Sequence, residues 1–451
     1  MLFRTKAGLA RSVAVLSRIS GRGGGTTLPG KLLLRMQPDA IGRLAARLPA
    51  GSALISATNG KTTTAKMAAS ILSQNQIVCR NGSGANLASG VASALLGAEG
   101  ADVGLFEVDE AALPGVARAL KPSAVVLGNL FRDQLDRYGE LELVADRWRE
   151  TAAALPPSSM LVCNADDPLV ASIGRARERT TWFGIDDPAA GLGRMQHAAD
   201  SKWCVRCGHR YEYDSITLGH LGAWRCPACG DARPALDVAA RDLELDGLRA
   251  VSFRLCTPLG EERVRLPLPG LYNVYNALAA AALALRLSAV PPAQLRSGLE
   301  RFSAAFGRFE RITLAERESV LLLVKNPAGA NEVIRTLAQD PAPKTLLIAL
   351  NDRIADGRDV SWIWDVDFEL LAPQIDRIVC TGTRAAEIAM RLKYAGAERI
   401  DVVVPAEAAL DAVAARGEGP LYMLATYTAM LELRRLLEMR GLVRPFWEEA
   451  A

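Results

Sequence analysis

Short apolar runs alternate with stretches of helical periodicity through the first third of the chain. The runs end in small or polar residues, and the stretches between them repeat apolar side chains every three to four positions. Such alternation is typical of βαβ units in a parallel sheet. It predicts strands at residues 52–56, 77–79, 103–108 and 124–127, and helices at residues 65–73, 87–96, 112–120 and 143–154.

The alternation continues, breaks once, and then starts again. Strands are predicted at 159–164 and 180–184, the pattern breaks near residue 198, and extended segments at 235–266 precede an Ala/Leu-rich helix at 276–287. A second α/β unit starts near residue 308, with strands predicted at 320–324, 345–349, 377–380, 400–404 and 421–425. We therefore predict an α/β protein with a central domain at 39–304 and a C-terminal Rossmann-like domain at 305–451.

The segment before the central domain, residues 1–38, has a different composition. Its first 35 residues carry arginine and lysine but no acidic residue, and residues 21–30 form a glycine-rich linker. The segment either packs on the body as a basic amphipathic helix or contacts an anionic membrane surface. No run of about 20 apolar residues occurs, so we predict no transmembrane helix and expect a cytoplasmic protein, with any membrane contact at the inner face of the plasma membrane.

Net charge argues against one class of function, and the placement of the cysteines predicts a metal site. A formal charge of +3 over 451 residues argues against a nucleic-acid-binding protein, which needs a basic face. Four scattered cysteines lie in apolar segments, as buried thiols of a reducing compartment do. The other four, Cys204, Cys207, Cys226 and Cys229, form two CxxC pairs that each precede a glycine. Two such pairs suit tetrahedral zinc in an inserted ribbon at about 200–232, although free thiols or two local disulfides fit the same residues.

The segment ATNGKTTT at 57–64 follows an apolar strand and opens a predicted helix. A glycine, a lysine and a threonine in this setting build a phosphate-binding loop, in which backbone N–H groups, the ammonium group and a hydroxyl on magnesium meet the phosphates. The general pattern places another glycine five positions before Gly60, where this chain has Ile55. An ordinary strand–turn–helix is therefore the alternative.

Acidic and amide side chains follow three of the predicted strands. They are Glu107, Asp109 and Glu110 after the third strand, Asn129, Asp133 and Asp136 after the fourth, and Asn164, Asp166 and Asp167 after the fifth. Carboxyl ends of parallel strands meet at one edge of the sheet, beside the phosphate loop. One of these carboxylates can hold magnesium, and solvated loop acids are the alternative.

Together, these motifs resemble the Mur ligases, which use ATP to form acyl phosphates during peptidoglycan synthesis. The resemblance runs from about residue 29 to the C-terminus and adds LYNVYNALAA at 271–280 and GRFE at 307–310. The chain departs from most Mur ligases at Gln134, where they have histidine, and lacks their modified lysine, since Arg147 and Arg149 stand in that region. The cysteine ribbon, KNP at 325–327 and the segment 351–365 resemble the MurT family, whose members are ligase-like subunits of lipid II isoglutaminyl synthase.

The resemblance implies ATP-dependent amidation of the α-carboxyl of D-glutamate in lipid II. Lys61, Thr62 and Glu107 would serve the phosphates and Mg²⁺, with Lys61 and Glu107 counted as catalytic. The remaining nucleotide residues would be Thr58, Asn59, Gly60, Thr63, Asn273 facing the adenine, and Arg308 reaching the phosphates. A domain-interface salt bridge is the alternative role of Arg308. Zn²⁺ on the four cysteines would be structural, because four thiolates leave no open position.

The resemblance also implies a partner, a GatD-like glutamine amidotransferase subunit that supplies ammonia. No cysteine here sits at a nucleophile elbow, and the three histidines lie in or near the ribbon. Asp352 would complete the partner's catalytic triad, with Asp356 and Asp359 as rivals and a turn or helix cap as its alternative role. Trp362 and Trp364 belong either to the subunit contact or to the core.

Two rival functions remain open at this point. One is a free-standing Mur-type ligase that adds an amino acid or a glutamyl unit, which the absent lysine and the zinc insert disfavour. The other is a nucleic-acid factor with a phosphate loop and a zinc ribbon, which the near-neutral charge disfavours.

Overall fold

A computed structural model describes residues 2–19, 27–82, 84–132, 141–192, 195–196, 199–302, 309–415 and 419–443. The strands of its first part are β1 (Ser52–Ser56), β2 (Val78–Arg80), β3 (Val103–Glu107), β4 (Ala124–Leu127), β5 (Met160–Asn164), β6 (Thr180–Ile185), β7 (Glu212–Leu218), β8 (Leu221–Arg225), β9 (Val238–Asp246), β10 (Ala250–Thr257) and β11 (Gly260–Leu266). Nine of them form one sheet in the order β11-β10-β9-β6-β5-β4-β1-β3-β2, and β7 pairs with β8 as a separate hairpin.

Helices cover both faces of the nine-stranded sheet. They are α1 (Leu2–Ile19), α2 (Leu28–Met36), α3 (Ala40–Ala45), α4 (Lys61–Leu72), α5 (Ala88–Leu96), α6 (Leu113–Leu120), α7 (Leu141–Ala154), α8 (Pro168–Gly174), α9 (Leu271–Ser288) and α10 (Pro292–Glu300). On one face α4, α9 and α10 pack in a core with Ile55, Leu105 and Val126. On the other face α1–α3 and α5–α8 pack against Leu54 and Phe106. Strands buried on both faces explain the continuous apolar runs of the sequence.

The second domain repeats the plan with a smaller sheet. Its elements are β12 (Phe309–Leu314), β13 (Arg317–Leu323), α11 (Pro327–Ala338), β14 (Lys344–Ala349), β15 (Ile375–Thr381), α12 (Ala385–Tyr394), β16 (Ile400–Val402), α13 (Ala406–Ala415), β17 (Leu421–Ala425) and α14 (Tyr427–Met439). The strand order is β12-β13-β17-β14-β15-β16. Only the β12–β13 pairing is antiparallel among these strands. The predicted α/β class with two sheets is thus confirmed.

The strands predicted for a parallel sheet do pair in parallel. Strand β9 also joins β6 in parallel, whereas β10 and β11, which lie in the segment predicted only as extended, add antiparallel strands at the edge of the same sheet. Several predicted element boundaries are wrong. Helix α9 begins five residues before the predicted start, directly after Gly270, whose positive φ of 85° ends the preceding segment. The linker predicted at residues 21–30 overlaps a helix, because α2 begins at Leu28.

The N-terminal helices pack on the body of the protein. Lys6 Nζ in α1 donates to the carbonyl of Met36 at 2.8 Å, and Arg11 Nε donates to the carbonyl of Leu96 at 3.0 Å. Helix α2 crosses α5 at Gly30, whose N–H donates to Ser93 Oγ at 2.8 Å. The predicted packed helix is therefore present. Among the helices that the structure describes, none combines the length and apolarity needed to cross a bilayer.

The close crossing of α2 and α5 predicts that Gly30→Ala destabilises the protein. An added Cβ at residue 30 would lie 1.9 Å from the carbonyl oxygen of Ser89, so the helices must separate at a cost of about 2 kcal/mol. Gly8→Ala in α1 is the matched control, because its Cβ meets nothing within 4 Å and alanine favours helix. Urea unfolding followed by circular dichroism measures both, and equal midpoints for Gly30→Ala and the wild type would contradict the packing described.

Candidate nucleotide-binding site and metal centre

The loop between β1 and α4 depends on the conformation of Gly60. Its φ is +92°, in the left-handed region, and it immediately precedes the first residue of α4. A Cβ at this position would lie 1.9 Å from Asn276 Oδ1 of α9. Because the N-cap residue is a glycine, no N-cap side chain competes with an anion such as phosphate for the start of α4.

The neighbouring strand β4 holds the loop in place. The Asn129 side chain accepts from the N–H of Asn59 at 2.9 Å and donates to its carbonyl at 3.0 Å. Thr58 is fixed in the same way, since its N–H donates to the carbonyl of Asn129 and its hydroxyl accepts from the N–H of Phe131 at 3.0 Å. These hydrogen bonds fix the shape of the loop, and a fixed loop loses little conformational entropy on binding.

The ammonium group of Lys61 lies inside this loop. It donates to the carbonyl of Ala57 and forms a 2.9 Å ion pair with Glu110 Oε2, and both side chains are largely buried. Glu110 follows β3, so the pair joins the strand end to the loop. A polyphosphate that enters the loop meets a positive charge that is already positioned.

Glu107, the last residue of β3, has an unsatisfied carboxylate oxygen. The β1–β3 register sets it beside Ile55 near the start of the loop, and the residue is buried. Its Oε1 accepts from the N–H of Gly84 at 3.1 Å, whereas Oε2 is buried and has no hydrogen-bond partner among the described residues. A buried carboxylate oxygen without a partner suits a hard cation such as Mg²⁺.

A cleft that is partly open to solvent extends from this loop between the two domains. One part is apolar and the other carries amide, ammonium and carboxylate groups, as in small-molecule sites. The apolar lining includes Leu218, Leu221, Leu268, Tyr272, Phe309 and Leu323, and the polar lining includes Asn59, Gly60, Thr63, Asn129, Asn273, Asn276, Lys325 and Glu332.

Asn273 and Asn276 lie one turn apart at the start of α9. Asn273 Nδ2 donates to the carbonyl of Pro269 at 2.7 Å, and its Oδ1 accepts from Asn276 Nδ2 at 3.2 Å. Asn276 Oδ1 in turn accepts from the hydroxyl of Thr64 at 3.2 Å. The structure thus brings Asn273 to the same cleft as the phosphate loop.

The second domain contacts the loop directly. Lys325 Nζ donates to the carbonyl of Thr58 at 3.2 Å, and Asn326 Nδ2 donates to Asn59 Oδ1 at 2.9 Å. Both residues belong to the KNP motif that precedes α11. Their side chains hold the two domains together at the cleft.

Several residues of the site lie in the sequence motifs. Glu110 is one of the predicted magnesium candidates, Asn276, Lys325 and Asn326 have no predicted role, and Glu332 lies in no motif. Asn276 had a usable signal, because a residue three positions after Asn273 shares its helix face. Arg308, Asp133, Gln134 and Asp136 lie outside the described residues.

The four ribbon cysteines converge on one point. Their sulfur atoms all lie within 4.8 Å of one another, with Cys204 Sγ 3.7 Å from Cys229 Sγ and Cys207 Sγ 3.5 Å from Cys226 Sγ. Zinc–sulfur bonds of about 2.3 Å at tetrahedral angles give sulfur separations of about 3.8 Å. The donor set and its spacing therefore fit Zn²⁺.

Asp352 lies at the surface of the second domain, three residues after β14 ends at Ala349. It accepts from Thr383 Oγ1 and from Arg384 Nε, both at 2.8 Å, and the Thr383 hydroxyl and the Arg384 guanidinium hold its pKa below the usual range. The group is ionised at neutral pH and accessible. Its hydrogen bonds to Thr383 and Arg384 also suit the alternative role, in which Asp352 stabilises a turn or caps a helix.

The rival aspartates differ from Asp352 in their surroundings. Asp356 is buried and accepts from the backbone and hydroxyl of Thr428 and from the N–H of Arg353, so its carboxylate organises the loop. Asp359 is exposed, and its Oδ1 accepts from the N–H of Ser361 at 2.8 Å. The carboxylate of Asp356 is thus occupied within the loop, whereas Asp352 and Asp359 both present accessible carboxylates.

The two tryptophans have different surroundings. Trp362 is partly buried against the core of the second domain. Trp364 is 51% exposed and packs edge-on against Tyr394, which is 73% exposed. Met390, one helical turn before Tyr394 on α12, is also exposed. An apolar surface therefore lies on the domain that carries Asp352.

The geometry of the loop predicts that Gly60→Ala weakens nucleotide binding at least about tenfold. Alanine is strained at a φ of +92° and its Cβ would overlap Asn276, so either the loop or α9 must move. Gly100→Ala is the matched control, since Gly100 has a φ of +75° with nothing within 4 Å. Calorimetric titration with ADP compares the two variants, and equal dissociation constants would refute the role given to Gly60.

Comparison with known proteins gives the family. Residues 55–221 match the model of the Mur ligase middle domain, and residues 323–430 match that of the MurT ligase C-terminal domain. Subunit MurT of a glutamine-hydrolysing lipid II isoglutaminyl synthase from Streptococcus pneumoniae is 35% identical over 95% of both chains. The same subunit from Staphylococcus aureus is 34% identical, over 86% of this chain and 87% of its own.

Solved structures show the same fold. A pseudomurein peptide ligase type C from Methanothermus fervidus has a TM-score of 0.69 and 23% identity, over 86% of this chain and 78% of its own. MurF from Thermotoga maritima in complex with ADP has a TM-score of 0.64 and 16% identity, over 89% of this chain and 82% of its own. The sequence matches, which cover nearly the whole chain, confirm the resemblance seen in the motifs: the chain belongs to the MurT family, within the Mur ligase fold.

Proposed function

We propose that this protein is the ATP-dependent subunit of a lipid II isoglutaminyl synthase. In this reaction the α-carboxyl of D-glutamate in the lipid II stem peptide becomes an amide, with ammonia released from glutamine by a GatD-like partner subunit. The single observation that carries the proposal is 35% identity over 95% of the chain to a protein with that activity in its name.

The site chemistry supports a carboxyl-activating step. A carboxylate reacts poorly with ammonia because its oxygen is a poor leaving group, and transfer of the γ-phosphoryl group makes it a good one. The carboxylate oxygen attacks phosphorus, ADP leaves, and ammonia then displaces phosphate from the acyl phosphate. Lys61 and the N–H groups at the start of α4 are placed to neutralise charge on the transferred group.

Glu107 and Thr62 are the residues that would hold Mg²⁺. Glu107 offers its unpartnered Oε2, and Thr62 lies in the first turn of α4. The bound ion supplies charge neutralisation across the phosphates. Thr58, Asn59, Gly60 and Thr63 would line the polyphosphate. We assign Asn273 to the adenine, and by the family resemblance Arg308 would reach the phosphates when the domains close.

The surface at Asp352 is the proposed point of action on the partner. An aspartate that stays ionised can orient an imidazole during glutamine hydrolysis. Its pKa is held low, and Ile354, two residues on, is 80% exposed. The apolar surface of Trp364, Met390 and Tyr394 lies on the same domain and suits a protein contact. Zn²⁺ on the four cysteines would stabilise the ribbon.

Domain boundaries and location complete the proposal. We assign residues 39–304 to the ATP-binding domain and 305–451 to the MurT-type domain that meets the partner. The basic segment 1–38 would lie near the inner face of the plasma membrane, where lipid II is found. No observation favours the alternative of a free-standing amino-acid or glutamyl ligase over amidation.

Separate nitrogen sources test the two roles. With purified complex, lipid II and ATP, we expect Lys61→Ala to lower amide formation by about 100-fold or more with either glutamine or ammonium chloride, since it removes charge stabilisation. Asp352→Asn should lower only the glutamine-dependent rate, by about 100-fold or more. Mass spectrometry of the lipid product measures both rates.

Asp359→Asn is the matched control for Asp352→Asn. It removes a carboxylate from the same loop, and we expect both nitrogen sources to support the wild-type rate. Restoration of Lys61→Ala by ammonium to the same degree as Asp352→Asn would contradict the division of roles. A complex that forms no amide with either nitrogen source would contradict the proposed function itself.

A further inference from the structure

The hairpin of the cysteine ribbon reaches from the metal centre to the nucleotide cleft. Its base adjoins the cysteines, because Cys226 directly follows the last residue of β8 and its N–H donates to the carbonyl of Asp231 at 2.6 Å. Its tip, residues 217–221, lies at the other end, where Leu218 and Leu221 are buried and line the cleft. The tip makes three contacts with different walls of that cleft.

The first contact supports the phosphate loop. Gly219 has a φ of +58°, and a Cβ there would lie 2.8 Å from the ring of Phe131. The ring of His220 packs on the same phenyl ring with centroids 4.6 Å apart. Phe131 in turn donates its N–H to the hydroxyl of Thr58 at 3.0 Å. The tip therefore packs on the side chain of Phe131, whose backbone N–H holds Thr58 of the loop.

The second contact supports α9. The hydroxyl of Thr217 is hydrogen-bonded to that of Tyr275, which donates to Asp166 Oδ2 at 2.7 Å. Tyr275 is buried and lies between Asn273 and Asn276 in the sequence of α9. The position of Tyr275 therefore affects the neighbouring side chains of Asn273 and Asn276, which line the cleft.

The third contact reaches the second domain. The carbonyl of Thr217 accepts from Arg335 Nη1 at 2.9 Å, and the same nitrogen lies 3.5 Å from Glu332 Oε1. Glu332 is buried in α11 and lines the cleft. The tip therefore joins the phosphate loop, α9 and α11.

The ribbon has little apolar surface to hold this hairpin by itself. Its own cluster contains Cys204, Tyr211, Trp224 and Cys226 packed on Ala171. Two of its five members are cysteines that would bind the metal. Small clusters of this kind depend on a bound metal for their folded geometry.

We propose that the metal-bound ribbon is a positioning element of the nucleotide site, acting through Thr217 and Gly219 at its hairpin tip. The inference rests on the proposed nucleotide function of the cleft. Zn²⁺ at the four cysteines fixes the base of the hairpin, and the tip holds the phosphate loop and α9 at their binding separation. Loss of the metal lowers nucleotide affinity even where the rest of the chain stays folded.

The first test compares zinc-loaded and zinc-depleted protein. Zinc is removed with a chelator, and ADP affinity is measured by calorimetry on samples whose circular dichroism shows retained helix and sheet. We expect the dissociation constant to rise at least about tenfold and to recover when zinc is restored. Folded, zinc-free protein with unchanged ADP affinity would overturn the inference. Loaded wild-type protein that binds no nucleotide would overturn the proposed function together with it.

Tip variants decide the matter if depletion unfolds the chain. Thr217→Val removes the hydroxyl, which contacts the hydroxyl of Tyr275 and, within the tip, the carbonyl of Leu221. We expect a three- to tenfold rise in the dissociation constant of ADP, about the effect of one buried hydrogen bond. The KM for ATP should rise with little change in kcat, and Thr217→Ser should restore the wild-type value. The charge-transfer spectrum of the Co²⁺-substituted ribbon should stay the same, which shows that the metal centre is intact.

The control variant is Thr257→Val, which removes a hydroxyl that donates to the carbonyl of Gly260 at 2.8 Å on the β10–β11 edge. We expect it to bind ADP as the wild type does. An intact Co²⁺ spectrum with unchanged ADP affinity in Thr217→Val would overturn the inference. An equal loss of affinity in Thr257→Val would do the same, because the effect would then not come from the tip.

Discussion

The left-handed turn at Gly60 is the constraint on which the site depends. It allows the chain to leave β1, pass against Asn276 and enter α4 with the N-terminal N–H groups facing the cleft. Any side chain at this position would overlap α9. The loop, α9 and the cleft between the domains therefore form one packed unit, in which the nucleotide residues hold one another in place.

Electrostatics around that turn fix the positions of its charged groups. Lys61 is paired with Glu110, whereas Glu107 keeps one buried oxygen without a partner among the described residues. Pairing offsets part of the desolvation cost of the buried Lys61 and Glu110 charges. Polar groups that are already fixed in position need little reorganisation during a reaction.

Much of the fold could be predicted from the sequence, because strands that are covered by helices on both faces appear as continuous apolar runs. The phosphate loop, Glu107 at a strand end and the two CxxC pairs were predictable for the same reason, since each is a local motif. The start of α9 was not, because LYNVY has no helical signal of its own and becomes helical through packing of Leu271, Val274 and Tyr275 in the core. Contacts between distant segments, such as Lys325 with Thr58 or Thr217 with Tyr275, leave no pattern in a single sequence.

Oxygen transfer from substrate to phosphate tests the central claim most directly. The complex is given ATP, a nitrogen source and lipid II whose D-glutamate α-carboxyl carries ¹⁸O in both positions, and the released phosphate is analysed by mass spectrometry. If the cleft activates that carboxyl as an acyl phosphate, each amide formed releases a phosphate with one ¹⁸O atom. Amide formation with unlabelled phosphate would contradict the account.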